Sequence, residues 1–169
     1  MNPRRRFLRL LSAATPAAVA AIATGEAYAD DGSEKAFLGA WNVVSTVSNG
    51  FSFRELVGFA DGGVLQETNS FLNTVGNLNF APFGFNKIAK ASDGLGTWSR
   101  TGPQTAKAVF RKLLFDSTTG ENFGDLLVTG TVLSNGDELS GRWHVVIIDP
   151  GGLVLADLGP VTSVGTRMS

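Results

Sequence analysis

The chain has 169 residues, no cysteine, one histidine and a formal net charge of −1 at pH 7. The missing cysteines exclude thiolate nucleophiles, cysteine zinc sites and cysteine-ligated clusters. Acid–base chemistry falls to carboxylates, lysines and the single imidazole, His144.

The chain begins with Pro3-Arg4-Arg5-Arg6-Phe7-Leu8-Arg9. Leu10 to Ala23 follows, apolar or small except for Ser12, Thr15 and Pro16, and then the small-x-small sequence Ala27-Tyr28-Ala29 ahead of Asp30 and Asp31. This is the three-part layout of a cleaved secretory leader over residues 1–29, with cleavage after Ala29. A membrane-spanning helix needs about 20 strongly apolar residues; this stretch is shorter and alanine-rich, so no stable membrane anchor is expected. The leader resembles twin-arginine export signals. Arg4 and Arg5 fall on the arginine pair, Phe7 and Leu8 on the apolar pair, and Arg9 on the basic position, while Pro3 replaces the usual Ser or Thr. The resemblance implies recognition by the twin-arginine export machinery, folding before export, and a periplasmic or extracellular location. The alternative is an ordinary secretory signal with a chance arginine run.

Residues 30–169 make about one domain. Without the four arginines and one glutamate of the leader, 10 basic and 14 acidic residues remain, a net charge of −4. No basic patch is left for nucleic acid or for an anionic membrane surface. Asp30 to Leu38 reads as a polar lead-in with one helical turn. Short runs rich in Val, Thr, Phe and Trp then alternate with turn pairs. Strands are predicted over Trp41–Ser48, Phe51–Ala60, Val64–Asn69, Gly96–Arg100, Thr105–Asp116, Phe123–Ser134, Asp137–Asp149, Leu153–Asp157 and Val161–Met168. Asn49-Gly50 and Asp61-Gly62-Gly63 supply the positive-φ residues of tight hairpins. The expected fold class is all-β: an antiparallel up-and-down barrel of about 8 strands, whose closure removes exposed edges. A two-sheet sandwich is the rival architecture.

One segment interrupts the meander. Ser70–Ser92 has no strand signal but contains Phe71, Leu72, Val75, Leu78, Phe80, Phe83, Phe85 and Ile88. Loops of this length are usually functional or disordered, and this composition argues against disorder. It reads either as an apolar lid over a cavity mouth or as a short strand or plug packed on the barrel end.

Gly39-Ala40-Trp41, after the lead-in and before the first strand, together with Arg167 near the end of the last, resembles lipocalins and related calycin barrels. The resemblance implies a lipocalin-like barrel that binds small apolar molecules, closed at one end by Trp41 with the Arg167 guanidinium stacked on the indole.

Strand alternation assigns faces. Phe53, Glu55, Val57 and Phe59 share one face, and three apolar neighbours point it inward. Glu55 would then be a carboxyl in an apolar cavity, with a raised pKa and a possible acid–base role; the alternative places Arg54, Leu56 and Gly58 inside, or Glu55 at the rim. Phe53, Val57, Phe59, Phe80, Phe83, Phe85, Trp98 and Trp143 are candidates for cavity wall and lid. Either face of Thr105–Asp116 carries basic residues inward: Lys107 and Arg111, or Lys112. A pair with Glu55 would satisfy both charges. His144 lies opposite the apolar face of its strand and is expected to face solvent; a Ser-His-Asp triad would need this residue, and haem ligation would require it to point inward instead. No metal-ligand spacing or phosphate loop is present, and no cofactor is expected. Three functions fit: an exported binder of a small apolar ligand, a cofactor-free cyclase or isomerase of the allene oxide cyclase-like barrel type using Glu55, and a structural or interaction module.

Overall fold

The computed structural model describes residues 33–72, 78–81 and 87–169. The leader positions Arg4, Arg5, Phe7, Leu8, Ala27 and Ala29, and Val75, Phe83 and Phe85 of the long loop, lie outside the described residues. A short 3-10 turn, Ser33–Ala36, leads into ten strands: β1 (Gly39–Val47), β2 (Ser52–Ala60), β3 (Val64–Asn69), β4 (Leu78–Asn79), β5 (Ile88–Ala91), β6 (Gly94–Gly102), β7 (Thr105–Asp116), β8 (Asn122–Asn135), β9 (Glu138–Ile148) and β10 (Val154–Arg167).

Eight of them form a closed antiparallel barrel in sequential order. β1 pairs with β2, β2 with β3, β3 with β6, and β6 through β10 pair in turn, until β10 returns to β1 with Trp41 opposite Arg167. β5 continues the line of β6 along β7. Ala91 pairs with Leu114 and Leu95 with Arg111, and between them Ser92 N donates to Leu113 O at 2.9 Å. β4 pairs with β5 as a two-residue hairpin arm. Within Ser70–Ser92 the described residues therefore form two short strands, β4 at the start of the expected Leu78–Phe85 stretch and β5 beyond it, and Phe71, Leu72 and Phe80 border the barrel's interior.

The two strands expected at the C-terminus are one. β10 runs through Gly159-Pro160 with register shifts against β9 at Val154/Ala156 and Asp157/Gly159. Gly159 takes φ 80°, the left-handed conformation that a bulge needs. Pro160 removes a ladder donor, but β1 reaches only as far as Val47 opposite Val161. Pro160 therefore sits where β10 has a neighbour on one side only, where proline is tolerated.

One end of the barrel is packed solid. Phe37, Phe59 and Trp98 form an aromatic cluster with ring centroids 5.6–6.2 Å apart. Trp41 is fully buried beside them, and its indole donates to Phe37 O at 2.8 Å. The Arg167 guanidinium stacks on the Trp41 ring at 4.3 Å. It also donates to the carbonyls of Leu38 and Ala36, tying the lead-in to the last strand. The lead-in carbonyls gain donors, the indole gains a cation on its face, and the N- and C-terminal ends of the domain lock together. The opposite end carries the β1–β2 turn, the long loop and the β7–β8 and β9–β10 turns.

Candidate functional site

Alternation along β2 places Phe53, Glu55, Val57 and Phe59 inside, with Arg54 and Leu56 exposed. β3 turns Leu65, Glu67 and Asn69 inward, and β7 turns Ala106, Ala108, Phe110, Lys112 and Leu114 inward. Above the aromatic end these strands surround a cavity of about 400 Å³, within the usual range for small-molecule pockets. Its walls include Phe53, Phe110, Leu126, Trp143 and Val145. Its rim is set by Ser48, Asn49 and Phe51 of the β1–β2 turn and by Phe71, Leu72 and Phe80 of the long loop. Ser48, Asn49 and Phe51 are exposed, so the cavity reaches the surface at this end. Phe71 packs against Phe51 and Phe53 with ring centroids 4.8 and 6.2 Å away. Phe80 is fully buried against Phe123.

Of the residues expected to line a cavity, Phe53, Phe80 and Trp143 do so. Val57, Phe59 and Trp98 face inward but belong to the packed aromatic end below it. The Trp143 indole donates to Ser163 Oγ at 2.9 Å, and its ring meets Phe110 edge-on at 5.9 Å. The polar tip of this large side chain is thereby satisfied while its apolar body faces the cavity. His144 points outward, half exposed, with Nε2 2.8 Å from Asp157 Oδ1.

A polar cluster forms the cavity floor, where open space meets the aromatic plug. Lys112 Nζ donates to Glu67 Oε2 at 2.7 Å, and each side chain is 1% exposed. This corrects the expected pairing: the inward lysine joins Glu67, not Glu55. Gly94 makes the pair possible. It lies opposite Glu67 across β3–β6, and the register that pairs Leu95 with Arg111 sets it beside Lys112. A Cβ at Gly94 would stand 2.7 Å from Glu67 Oε2 and 2.8 Å from Phe110 Cδ2. A side chain there would have to displace the Glu67 carboxylate or the Phe110 ring, so glycine keeps the inner surface low where the ion pair closes.

Glu67 Oε1 is buried and has no partner in hydrogen-bond geometry among the described residues. Burial pushes the Glu67 pKa up, opposed by Lys112 and, more weakly, by the neighbouring Asn69 amide. Asn69 Oδ1 is committed elsewhere, accepting from the backbone of Phe71 and Leu72 at 3.1 and 2.6 Å, which fixes the loop's departure at the cavity rim. Glu55 stands opposite Asn69 across β2–β3, one diagonal from Glu67. Ser45 Oγ donates to Glu55 Oε2 at 3.0 Å. Desolvation and the Glu67 charge push the Glu55 carboxyl up to about 7, against the Ser45 hydrogen bond and Lys112.

The arrangement therefore presents two carboxyl groups and one ammonium at the bottom of an apolar pocket. Glu55 can hold or release a proton near neutral pH. Alternation along β2 is enough to place Glu55 inside, whereas the Glu67–Lys112 pair depends on register across β3, β6 and β7. Its signal is a lysine on the inner face of the cleanly alternating β7, one strand removed from β3, whose odd positions run Leu65, Glu67, Asn69.

No protein-family model and no curated protein matches the chain. A solved structure described as a redesigned beta barrel is similar in fold, with a TM-score of 0.50 at 13% identity. The match covers 81% of this chain and 96% of that one. At this identity the likeness concerns the barrel architecture alone.

Proposed function

We propose that the domain is an exported, lipocalin-like binding protein that encloses a small, largely apolar ligand in its barrel. The observation that carries this reading is the cavity of about 400 Å³, apolar in its walls, closed below by the aromatic plug and open at the long-loop end. Enclosure of apolar surface supplies affinity, and a few fixed polar groups supply orientation. A docking module would be expected to have a filled barrel and to present Phe80; the cavity and the full burial of Phe80 favour the binder. Native mass spectrometry of the purified protein should show an added mass that organic solvent removes, or uptake of an added apolar fluorophore. A barrel that takes up neither overturns the reading.

A second reading rests on Glu55, a carboxyl that titrates near neutrality inside the same cavity. A cofactor-free cyclase or isomerase would use it as proton donor and acceptor. Under that reading, Glu55→Gln abolishes turnover of the retained compound while its binding survives. A compound recovered chemically unchanged after long incubation leaves the binder.

Export through the twin-arginine route is part of the proposal and rests on residues 1–29. Replacing Arg4 and Arg5 together by lysine should trap folded protein in the cytoplasm, measured by fractionation. Unchanged export would reassign the leader to the general secretory route.

A further inference from the structure

The binding reading leaves open what kind of head group the cavity accepts, and the floor speaks to that directly. We propose that the ligand is an apolar amine, whose ammonium head donates to Glu67 Oε1 and to Glu55 while its body lies against Phe53, Phe110 and Trp143. This inference rests on the binding reading and deepens it.

Three features of the floor lead to it. The first is an unmet acceptor. Glu67 is 1% exposed and lines the cavity; one oxygen is bonded to Lys112, and the other is buried with no partner in hydrogen-bond geometry among the described residues, with the Asn69 amide nearby. A buried carboxylate oxygen left unsatisfied is costly, and a donor supplied by a ligand removes that cost. The second is charge. Two carboxyl groups, Glu55 and Glu67, share the floor with one ammonium, and Lys112 is already committed to Glu67 at 2.7 Å. A ligand cation balances the set when Glu55 is ionised. A carboxylate head would meet two like charges with no free cation among the described lining residues to receive it. A hydroxyl head could satisfy one oxygen but would leave Glu55 to remain protonated in order to avoid a second buried charge. The third is the wall. Phe53, Phe110 and Trp143 stand around the floor as apolar and π surfaces, which suit a desolvated ammonium and its alkyl or aryl body. The charged groups on the strands facing this space are Glu55 on β2, Glu67 on β3 and Lys112 on β7; β1 contributes Ser45.

The test uses three probes with the same tail: decylamine, decanol and decanoate. Each is titrated calorimetrically into the full-length protein at about pH 7. Decylamine should bind about tenfold or more tighter than either of the others. Titration in two buffers of different ionisation enthalpy should show that decylamine binding releases a proton, as the incoming cation ionises Glu55. In Glu55→Gln the preference for decylamine over decanol should fall about tenfold and the proton release should vanish. If decanol or decanoate binds as tightly as decylamine, or if Glu55→Gln retains the full preference, the head-group assignment is overturned while the binding reading stands. If none of the three binds and an apolar fluorophore is also excluded, both fail together.

Discussion

Lys112→Met should destabilise the barrel by about 3–5 kcal/mol, because it removes one partner of a buried ion pair and strands the other. Glu67 would stay buried at the cavity floor with neither oxygen paired by Lys112. The chain has two ways to respond. It can let water in toward the floor, or it can protonate Glu67, whose pKa burial already raises and Lys112 holds down. The second route makes the penalty smaller in acid. A domain of this size has a total stability of roughly 5–15 kcal/mol, so the change is large and is read from the urea midpoint at constant slope. The double substitution Lys112→Met with Glu67→Leu carries the sharper content. Replacing a whole buried pair by apolar side chains of similar volume is often neutral or stabilising, so the double variant should regain most or all of the loss. A single variant within about 1 kcal/mol of the parent, or a double variant no better than the single, would show that the pair is solvated or that Met does not fit. Recovery in the double variant would mean that the pair is not what holds the barrel closed. Its retention would then point to the cavity, and the double variant should lose any preference among ligand head groups.

The parts of this molecule that could be read from the sequence are those in which local pattern and tertiary environment agree. β2 alternates cleanly because Phe53, Val57 and Phe59 face in while Arg54 and Leu56 face out, and that pattern carried Glu55 to the interior with them. The lipocalin resemblance pairs Trp41 with Arg167, and the closure of β10 on β1 sets them opposite each other. β3 offered no such guide. Its inner face is Leu65, Glu67, Asn69, more polar than an interior ought to be, since two of the three serve the floor and the loop rather than the core. Gly94 looks like punctuation between strands, yet it is the low point over which Glu67 and Lys112 meet. β4 and β5 were hidden for another reason. They are two and four residues long, with Ile88 exposed and Ala89 buried, so hydrophobicity has no period from which to read them. Gly159-Pro160 marks a turn in most contexts and a bulge here, because β9 continues alongside while β1 has ended. The departures from local expectation fall largely at the cavity floor and rim, where side chains answer to an interior that is not a packed core.

Glu55→Gln should make the protein more stable at neutral pH, by up to about 3 kcal/mol, with the gain falling below about 0.5 kcal/mol at pH 4.5. The sign follows from proton binding. Unfolded, the Glu55 carboxyl titrates at its ordinary 4.5; folded, it holds its proton to about 7. Between those values the folded protein binds more protons than the unfolded chain, so raising the pH favours unfolding. The shift of about 2.5 pH units, at 1.36 kcal/mol each, sets a ceiling of about 3 kcal/mol, reached above pH 7. Water entering through the cavity mouth screens the charge and brings the measured value below that ceiling. Glutamine keeps an acceptor for Ser45 Oγ, so the substitution removes the titration and spares the hydrogen bond. The quantity to measure is the difference in unfolding free energy between parent and variant across pH 4.5 to 8, in which the other carboxylates cancel. A difference that stays flat with pH would mean that Glu55 is ionised throughout and well solvated. The same difference reports on the ligand. A bound ammonium stabilises the ionised form, so saturating decylamine should lower the Glu55 titration and flatten the parent's slope toward that of the variant. Decanol should leave the slope in place. A carboxyl that costs the empty barrel stability at neutral pH, and ceases to do so when a cation is enclosed, is what separates a binding site from a core that tolerates one polar residue.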